Sequence, residues 1–306
     1  MEKHYNSLND FLKSKYGGKV YKLAFDGGFT CPNRDGTLGT GGCIFCSGRG
    51  SGDFSVNALQ DTDAAINEAV RVVEGKGKCV GYIAYFQNYT CTYASAEYLR
   101  QLYTRFINDN RILALSIGTR PDCLGDDVMA VLKEMNRIKP VWVELGLQTI
   151  HPETAEYIRR GYPLSVYDEA MAKLKTAGIY TVVHMIIGLP HETERMICQT
   201  AEYIGRSRAD GIKLQLLHVL SGTDLADDYK AGLFRTLTQN EYIQVLEKCI
   251  QHLPPDMTIH RLTGDGAKKE LIAPLWSGNK KAVLNAINAA FDRDGIRQGE
   301  LFYAGG

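Results

Sequence analysis

The chain has 306 residues, of which 44 % are hydrophobic and 23 % charged, and its 35 basic side chains are balanced by 35 acidic ones. This is the composition of an ordinary globular protein with a sizeable core, and zero net charge excludes a global electrostatic pull toward nucleic acid or a membrane surface while leaving room for a local basic face. The opening MEKHYNSLNDFLKSKYGG lacks the apolar stretch of a signal peptide and no run approaches the ~20 apolar residues of a membrane span, so residues 1–18 read as an N-terminal extension of a cytoplasmic protein.

In chain order, the first strand-like run is VYKLAF (20–25), followed directly by a glycine-rich loop. Further strands are predicted at VGYIAYF (80–86), ILALSIG (112–118), VWVELGL (141–147), YTVVHMIIG (180–188) and IKLQLLHVL (212–220). Each is short, rich in β-branched or aromatic residues and not alternating, as expected of strands buried on both faces of a parallel sheet. Between them lie amphipathic helices. In DAAINEAVRVVEGKG, Ile66, Ala69, Val70 and Val73 share a face and Gly75 is the expected stop. In SVYDEAMAKLKTAG, Ser165 and Asp168 are the expected N-terminal cap and Gly178 the C-terminal one, and TQNEYIQVLEKCI carries a capping-box pair, Thr238 and Glu241. Six βα units imply right-handed crossovers and a parallel sheet, either doubly wound or closed into a full or partial barrel, over residues 19–253. From Pro254 the rhythm changes. A strand-like TIHRL and a helix from Lys280 to Phe291 form an expected C-terminal appendage, residues 254–306.

The loop after the first strand, CPNRDGTLGTGGCIFCSG (31–48), holds three of the chain's eight cysteines, Cys31, Cys43 and Cys46, spaced C-x11-C-x2-C. The other five (Cys79, Cys91, Cys123, Cys198, Cys249) are scattered without paired spacing, which favours a reduced compartment and a metal over disulfides. The loop leaves the C-terminal end of a strand, where α/β folds bind ligands. Its glycines let the backbone wrap closely around a compact inorganic cluster. A [4Fe–4S] cube needs four ligands, so three thiolates leave one iron for a chelating small molecule. The competing reading is a zinc site that recruits His184 or His218 as fourth ligand. Three unmetallated core cysteines suit a polar, glycine-rich loop poorly.

Three cysteines with one open iron, and Phe45 within CIFC, resemble the radical S-adenosylmethionine (SAM) superfamily. The usual spacing there is C-x3-C-x2-C, and the longer first gap resembles the subset around the catalytic subunit of Elongator, in particular a small bacterial stand-alone subfamily. ALSIGTRPD (114–122), VELGLQTI (143–150), IRRGYPLSVYDEAMAKLKTAGI, HMIIGLPHET (184–193) and HVLSGTDL (218–225) are similar to successive strand-end motifs of such enzymes. The "GLP-x-x-T" turn is shared with oxygen-independent coproporphyrinogen oxidase. The ordered matches cover roughly residues 20 to 230.

The resemblance implies an α/β fold, a partial (β/α)6 TIM-like barrel with a small α+β appendage. It implies a [4Fe–4S] cluster on Cys31, Cys43 and Cys46, SAM on the open iron, and reductive cleavage of SAM to a 5′-deoxyadenosyl radical. It also implies an electron donor such as flavodoxin or ferredoxin. Gln148 and Arg160 fall where relatives contact SAM, and each has the matching chemistry: a donor–acceptor amide and a planar carboxylate-binding fork. Glu144 reads equally as a ribose contact or the partner of an arginine. Thr119 and Arg120 leave the third strand toward the same mouth, Arg120 as ligand contact or salt bridge. His184 stands where relatives carry a ribose-binding aspartate, and Gly188 allows close approach of adenine or simply a turn. In place of the Gly-Gly-Glu-like segment after the second strand stands FQNYT (86–90), where Gln87 or Asn88 would offer a carbonyl oxygen. Cys91 and Cys123 follow strands two and three and are candidate hydrogen donors or buried small hydrophobes.

The resemblance extends to substrate, a transfer RNA wobble uridine. His260, Arg261, Lys268, Lys269, Lys280 and Lys281, with Trp276 among them, read either as a surface that holds phosphates and stacks a base or as an ordinary solvated face. A small metabolite such as a porphyrin is the alternative substrate, and a zinc-binding interaction module the alternative protein.

Overall fold

The computed structural model describes residues 3–48, 50, 55–264 and 268–303. Ten strands occur: β1 Val20–Asp26, β2 Val56–Asn57, β3 Gly81–Phe86, β4 Ile112–Thr119, β5 Val141–Gln148, β6 Tyr180–Ile187, β7 Gly211–Leu216, β8 Val219–Leu220, β9 Thr258–Arg261 and β10 Leu271–Ala273. The helices are α1 Leu8–Tyr16, α2 Thr62–Val73, α3 Ala96–Ile107, α4 Asp126–Ile138, α5 Pro152–Tyr157, α6 Leu164–Thr176, α7 Glu194–Arg206, α8 Asp224–Lys230, α9 Gln239–Gln251 and α10 Lys280–Asp294. Eight strands form one sheet in the order β2-β1-β3-β4-β5-β6-β7-β9, every neighbouring pair parallel. The sheet curls into a partial TIM-like barrel.

The continuous apolar runs form strands because both faces are covered. Outside, helices bury Phe25, Phe86, Tyr103 and Phe106 against the sheet, with ring centroids 4.6 to 5.8 Å apart. Inside, at the starts of the strands, Ile83, Ala114 and Trp142 pack with Leu12 and Phe11 of α1. Helix α1 thus plugs the bottom of the barrel and leaves the C-terminal ends of the strands open to loops.

The six expected strands are present, as is the one expected at TIHRL, and β2 and β10 are additional. β2 has only two residues, too short for a periodic signal. TIHRL, expected in the appendage, becomes β9 and extends the main sheet beside β7, with Gly211 opposite Thr258. The run 212–220 is not one strand. It breaks after Leu216, and β8 pairs antiparallel with β10 in a separate two-stranded sheet. The capping box forms as expected, and Gly178 takes a left-handed φ of +63° after α6. The expected Ser165 and Asp168 cap does not form. α6 starts at Leu164 behind Pro163, whose fixed φ presets the first turn, and Asp168 instead accepts from Tyr203 Oη at 2.6 Å. α2 ends at Val73, before Gly75, and the positive φ falls on Gly77 (+97°).

Candidate active site

Loops at the open end enclose a cavity of about 780 Å³ that runs down into the barrel. Cys31, Cys43 and Cys46 line it, as do Gln87, Thr119 and Gln148 from the strand ends, Arg160 from the segment between α5 and α6, and Lys22, Tyr85, Glu144, His184 and Lys213 from the strand interiors.

The cysteine loop is folded by its own backbone bonds. Arg34 N donates to Cys31 O at 2.8 Å, Gly42 N to Asn33 O at 2.7 Å and Cys46 N to Cys43 O at 3.0 Å. Gly42 needs its φ of +74°, and a Cβ there would meet the Arg34 guanidinium at 2.8 Å. Asn33 Nδ2 donates to Arg159 O at 2.7 Å and reaches Cys43 Sγ at 3.5 Å. Arg34 ties the end of the loop, donating to Cys46 O at 2.9 Å and Ser47 O at 2.8 Å while its guanidinium lies over the Tyr89 ring. None of the three cysteines is in a disulfide. Burial and the adjacent Cys46 push the Cys43 thiol up to about 11, a cost that bonding to iron reverses. Among the described residues, no three His, Cys, Asp or Glu side chains are grouped to hold a single metal ion. Three soft sulfur donors facing one cavity fit the donor set of an iron–sulfur cluster with one open iron.

At the mouth of β5 the backbone is strained. Gln148 has a φ of +68°, and the register with β6 slips between Gly146 and Gln148. Gly146 leaves room for the Gln148 side chain, since a Cβ there would lie 3.1 Å from Gln148 Nε2. Gln148 Oε1 is buried without a partner among the described residues, an acceptor on the cavity wall left for something else.

Arg160 is 3 % exposed, and its guanidinium is largely spent on backbone carbonyls: Tyr162 O at 3.0 and 2.9 Å and Thr149 O at 2.6 Å. Its observed work is to hold the β5 loop. Arg120 resolves as a salt bridge, donating to both oxygens of Asp122 at 2.9 and 2.7 Å and to Arg160 O at 2.8 Å.

Deeper in the barrel, Glu144 is fully buried and spends both oxygens. Oε1 accepts from Lys22 Nζ and Ser116 Oγ, each at 2.6 Å, and Oε2 from His184 Nε2 at 2.7 Å and from Lys213 Nζ. Lys213 also donates to Tyr85 Oη at 2.9 Å. The partners of Glu144 are therefore two lysines and a histidine, not an arginine. Burial opposes its charge, but Lys213, Lys22 and His184 hold its carboxyl well below the usual range. Burial and Lys213 push His184 down to about 4, so the imidazole is neutral. Burial, helped by Lys22 and Arg261, brings the Lys213 ammonium down to about 7 despite Glu144.

The remaining candidates divide. Arg261 and Lys280 line the cavity, as does His260. Lys268, Lys269 and Lys281 are exposed and lie outside its lining. Asn88 is buried beside the wall and accepts from Ser55 Oγ at 2.9 Å. Gly188 sits under Leu237, away from the cavity, at a φ of +90°. Trp276 is no open stacking surface: its indole donates to Leu237 O at 3.0 Å and its ring packs on Tyr242. Nor do the two extra cysteines face the cavity. Cys91 is buried in the core and donates to Asn88 O at 3.2 Å, while Cys123 opens onto a second hollow behind the cysteine loop. The sequence reading passed over Asn33, Arg34, Lys22 and Lys213. The two lysines carried a signal, a charge inside an otherwise apolar strand.

The fold and cavity define a barrel enzyme that places a sulfur-ligated cofactor at the C-terminal ends of its strands. The Radical SAM superfamily model matches residues 34–204, and the Radical_SAM C-terminal domain model residues 209–293. Bacillus subtilis "Uncharacterized protein YtqA" is 43 % identical over 301 residues, 98 % of this chain and 94 % of that protein. A Methanocaldococcus jannaschii "tRNA uridine(34) acetyltransferase" is 27 % identical over 160 residues, 51 % of this chain and 29 % of that protein. Methanocaldococcus infernus Elp3 has a similar fold, with a TM-score of 0.69 at 18 % identity over 91 % of this chain and 64 % of that one. The chain belongs to the radical SAM superfamily. It is a radical SAM enzyme whose cofactors are a [4Fe–4S] cluster and SAM. No helix among the described residues is long and apolar enough to cross a membrane.

Proposed function

We propose that Cys31, Cys43 and Cys46 hold the cluster, that SAM lies between it and the strand mouths, and that the substrate is a wobble uridine of transfer RNA. The observation that carries the cofactor assignment is the joint presence, in one cavity wall, of three cysteine side chains outside any disulfide and the orphaned Gln148 Oε1. When bound and reduced, the cluster and SAM supply a 5′-deoxyadenosyl radical able to take hydrogen from an unactivated C–H bond. The protein's own residues bind, orient and exclude water. Gln148 accepts from a SAM ammonium or hydroxyl, Gln87 and Thr119 offer oxygens from the neighbouring strands, and Arg160 keeps the β5 mouth in place. Glu144 and His184 belong to the floor beneath SAM. A flavodoxin- or ferredoxin-type donor in the cytoplasm supplies the electron.

Gln148→Ala is expected to raise the KM for SAM about tenfold, the loss of one hydrogen bond to a charged group (~1.5 kcal/mol), with kcat changed far less. An unchanged KM would remove Gln148 from the SAM site.

Support for the tRNA assignment is the similarity of half the chain to a protein described as a tRNA uridine(34) acetyltransferase, together with Arg261 and Lys280 at the cavity and exposed Lys268 and Lys269 nearby. These cations suit phosphate contacts, whereas Trp276 is engaged elsewhere. The test is mass-spectrometric nucleoside profiling of total tRNA from a deletion strain complemented with wild type or with Cys43→Ala. A wobble nucleoside lost on deletion and restored only by wild type is the expected result. An unaltered tRNA profile with intact SAM cleavage would point instead to a small-metabolite substrate.

A further inference from the structure

We infer that the floor of the barrel cavity binds one anionic group, a carboxylate or a phosphate, carried by the molecule that yields its hydrogen. The identity of that molecule as a hydrogen donor rests on the radical SAM reading of the cavity, but the anion site stands on its own geometry.

The first observation is a charge imbalance. Glu144 is the sole carboxylate among the described residues that line the cavity, and two ammonium groups, Lys22 and Lys213, pair with it. The arginines at the cysteine end are engaged elsewhere, Arg34 and Arg160 with backbone carbonyls and Arg120 with Asp122. A buried lysine and a half-buried one sharing a single carboxylate leave one positive charge over on the cavity floor, which an anion would balance.

The second observation is an unused polar atom. His260 lines the same floor, and its Nδ1 is buried without a partner among the described residues, while Nε2 lies 3.4 Å from Tyr180 Oη. With the proton on Nδ1 it is a donor beside the two lysines.

The third is depth. Glu144 lies four residues before Gln148 on β5, so the floor is about 13 Å below the mouth at ~3.3 Å per residue. A cavity of about 780 Å³ that also takes SAM leaves room for a small group and not for a nucleic-acid strand. The anion is therefore the phosphate of a single extruded nucleotide or the carboxylate of a small co-substrate.

The experiment measures thermal melting of the anaerobically reconstituted holoenzyme with SAM. Sodium succinate or inorganic phosphate is titrated against sodium chloride at matched ionic strength, for wild type, Lys213→Met and Lys22→Met. One anion is expected to give a saturating rise in Tm of a few degrees in wild type, and which one does so identifies the source. Both variants should lose that rise. Without added anion, Lys213→Met should melt at or above wild type, because Glu144 keeps Lys22 and His184. The inference is overturned if neither anion exceeds chloride or if the rise persists in both variants. It is equally overturned if Lys213→Met melts well below wild type or fails to fold, since the lysine is then structural. Missing iron or absent SAM cleavage would instead overturn the cofactor assignment and leave the anion titration standing.

Discussion

Cys43→Ala is expected to reduce iron from about four per chain to background and to abolish SAM cleavage, while the protein stays folded. A cube with three protein thiolates has no spare ligand, so loss of one leaves two irons unsupported and the cluster labile. The apolar cost is small, because the removed atom is one sulfur facing a cavity, on the order of 1 kcal/mol. Asn33 also loses its contact to Cys43 Sγ but keeps its bond to Arg159 O, so the loop retains its shape. Cys91→Ala and Cys123→Ala are the controls. Neither thiol opens onto the cavity, and both variants should load iron as wild type does. Full iron content in Cys43→Ala, or equal loss in Cys123→Ala, would mean that the cluster is held by other ligands.

Glu144→Gln is expected to be the most damaging single change to stability in the barrel interior. The substitution keeps shape but leaves Lys22 and Lys213 facing an amide that no longer carries charge, at the buried floor of the cavity. Breaking a buried pair in this way costs about 3–5 kcal/mol, and at roughly 2 °C per kcal/mol the melting point should fall by about 6–10 °C. The acid dependence gives a second readout. The lysines hold the Glu144 carboxyl below its ordinary 4.5, so its stabilisation is present above that value and lost as pH falls through the lower folded one. Wild type should therefore show an acid-induced loss that Glu144→Gln lacks. A variant that melts like wild type would show that the cations have another counter-charge.

These residues also mark how far the sequence was legible. Local signals read well. The strand runs, the Thr238 and Glu241 capping box and the cysteine loop at the end of β1 depend on neighbours in sequence, where composition and spacing carry the information. Long-range partners did not read. Nothing in VELGLQTI shows that Glu144 meets a lysine 122 residues earlier and another 69 residues later, because pairing across a curled sheet is set by register. Arg160 looked like a carboxylate fork, yet backbone carbonyls of the β5 loop took its donors. Trp276 read equally as a stacking ring or a packed one, and its contacts with Leu237 and with Tyr242 of α9 make it a half-buried, packed one. TIHRL was recognisable as a strand, but its place beside β7 depends on contacts from both ends of the chain.

That last pairing has a consequence for biosynthesis. Asn6 O accepts from Ile259 N at 2.8 Å, Gln298 N donates to His4 O at 2.9 Å, and His4 also bonds to Ile296 O at 2.8 Å. His4 and Asn6 are thus stapled to Ile259, Ile296 and Gln298, which are synthesised much later. Until those late residues emerge, the β7 edge has no neighbouring strand, and unpaired edges of this kind are sticky. A nascent chain stalled near residue 250 would be a client for chaperones, and maturation of the barrel, including any loading of iron, waits for residues 258–298 to be made.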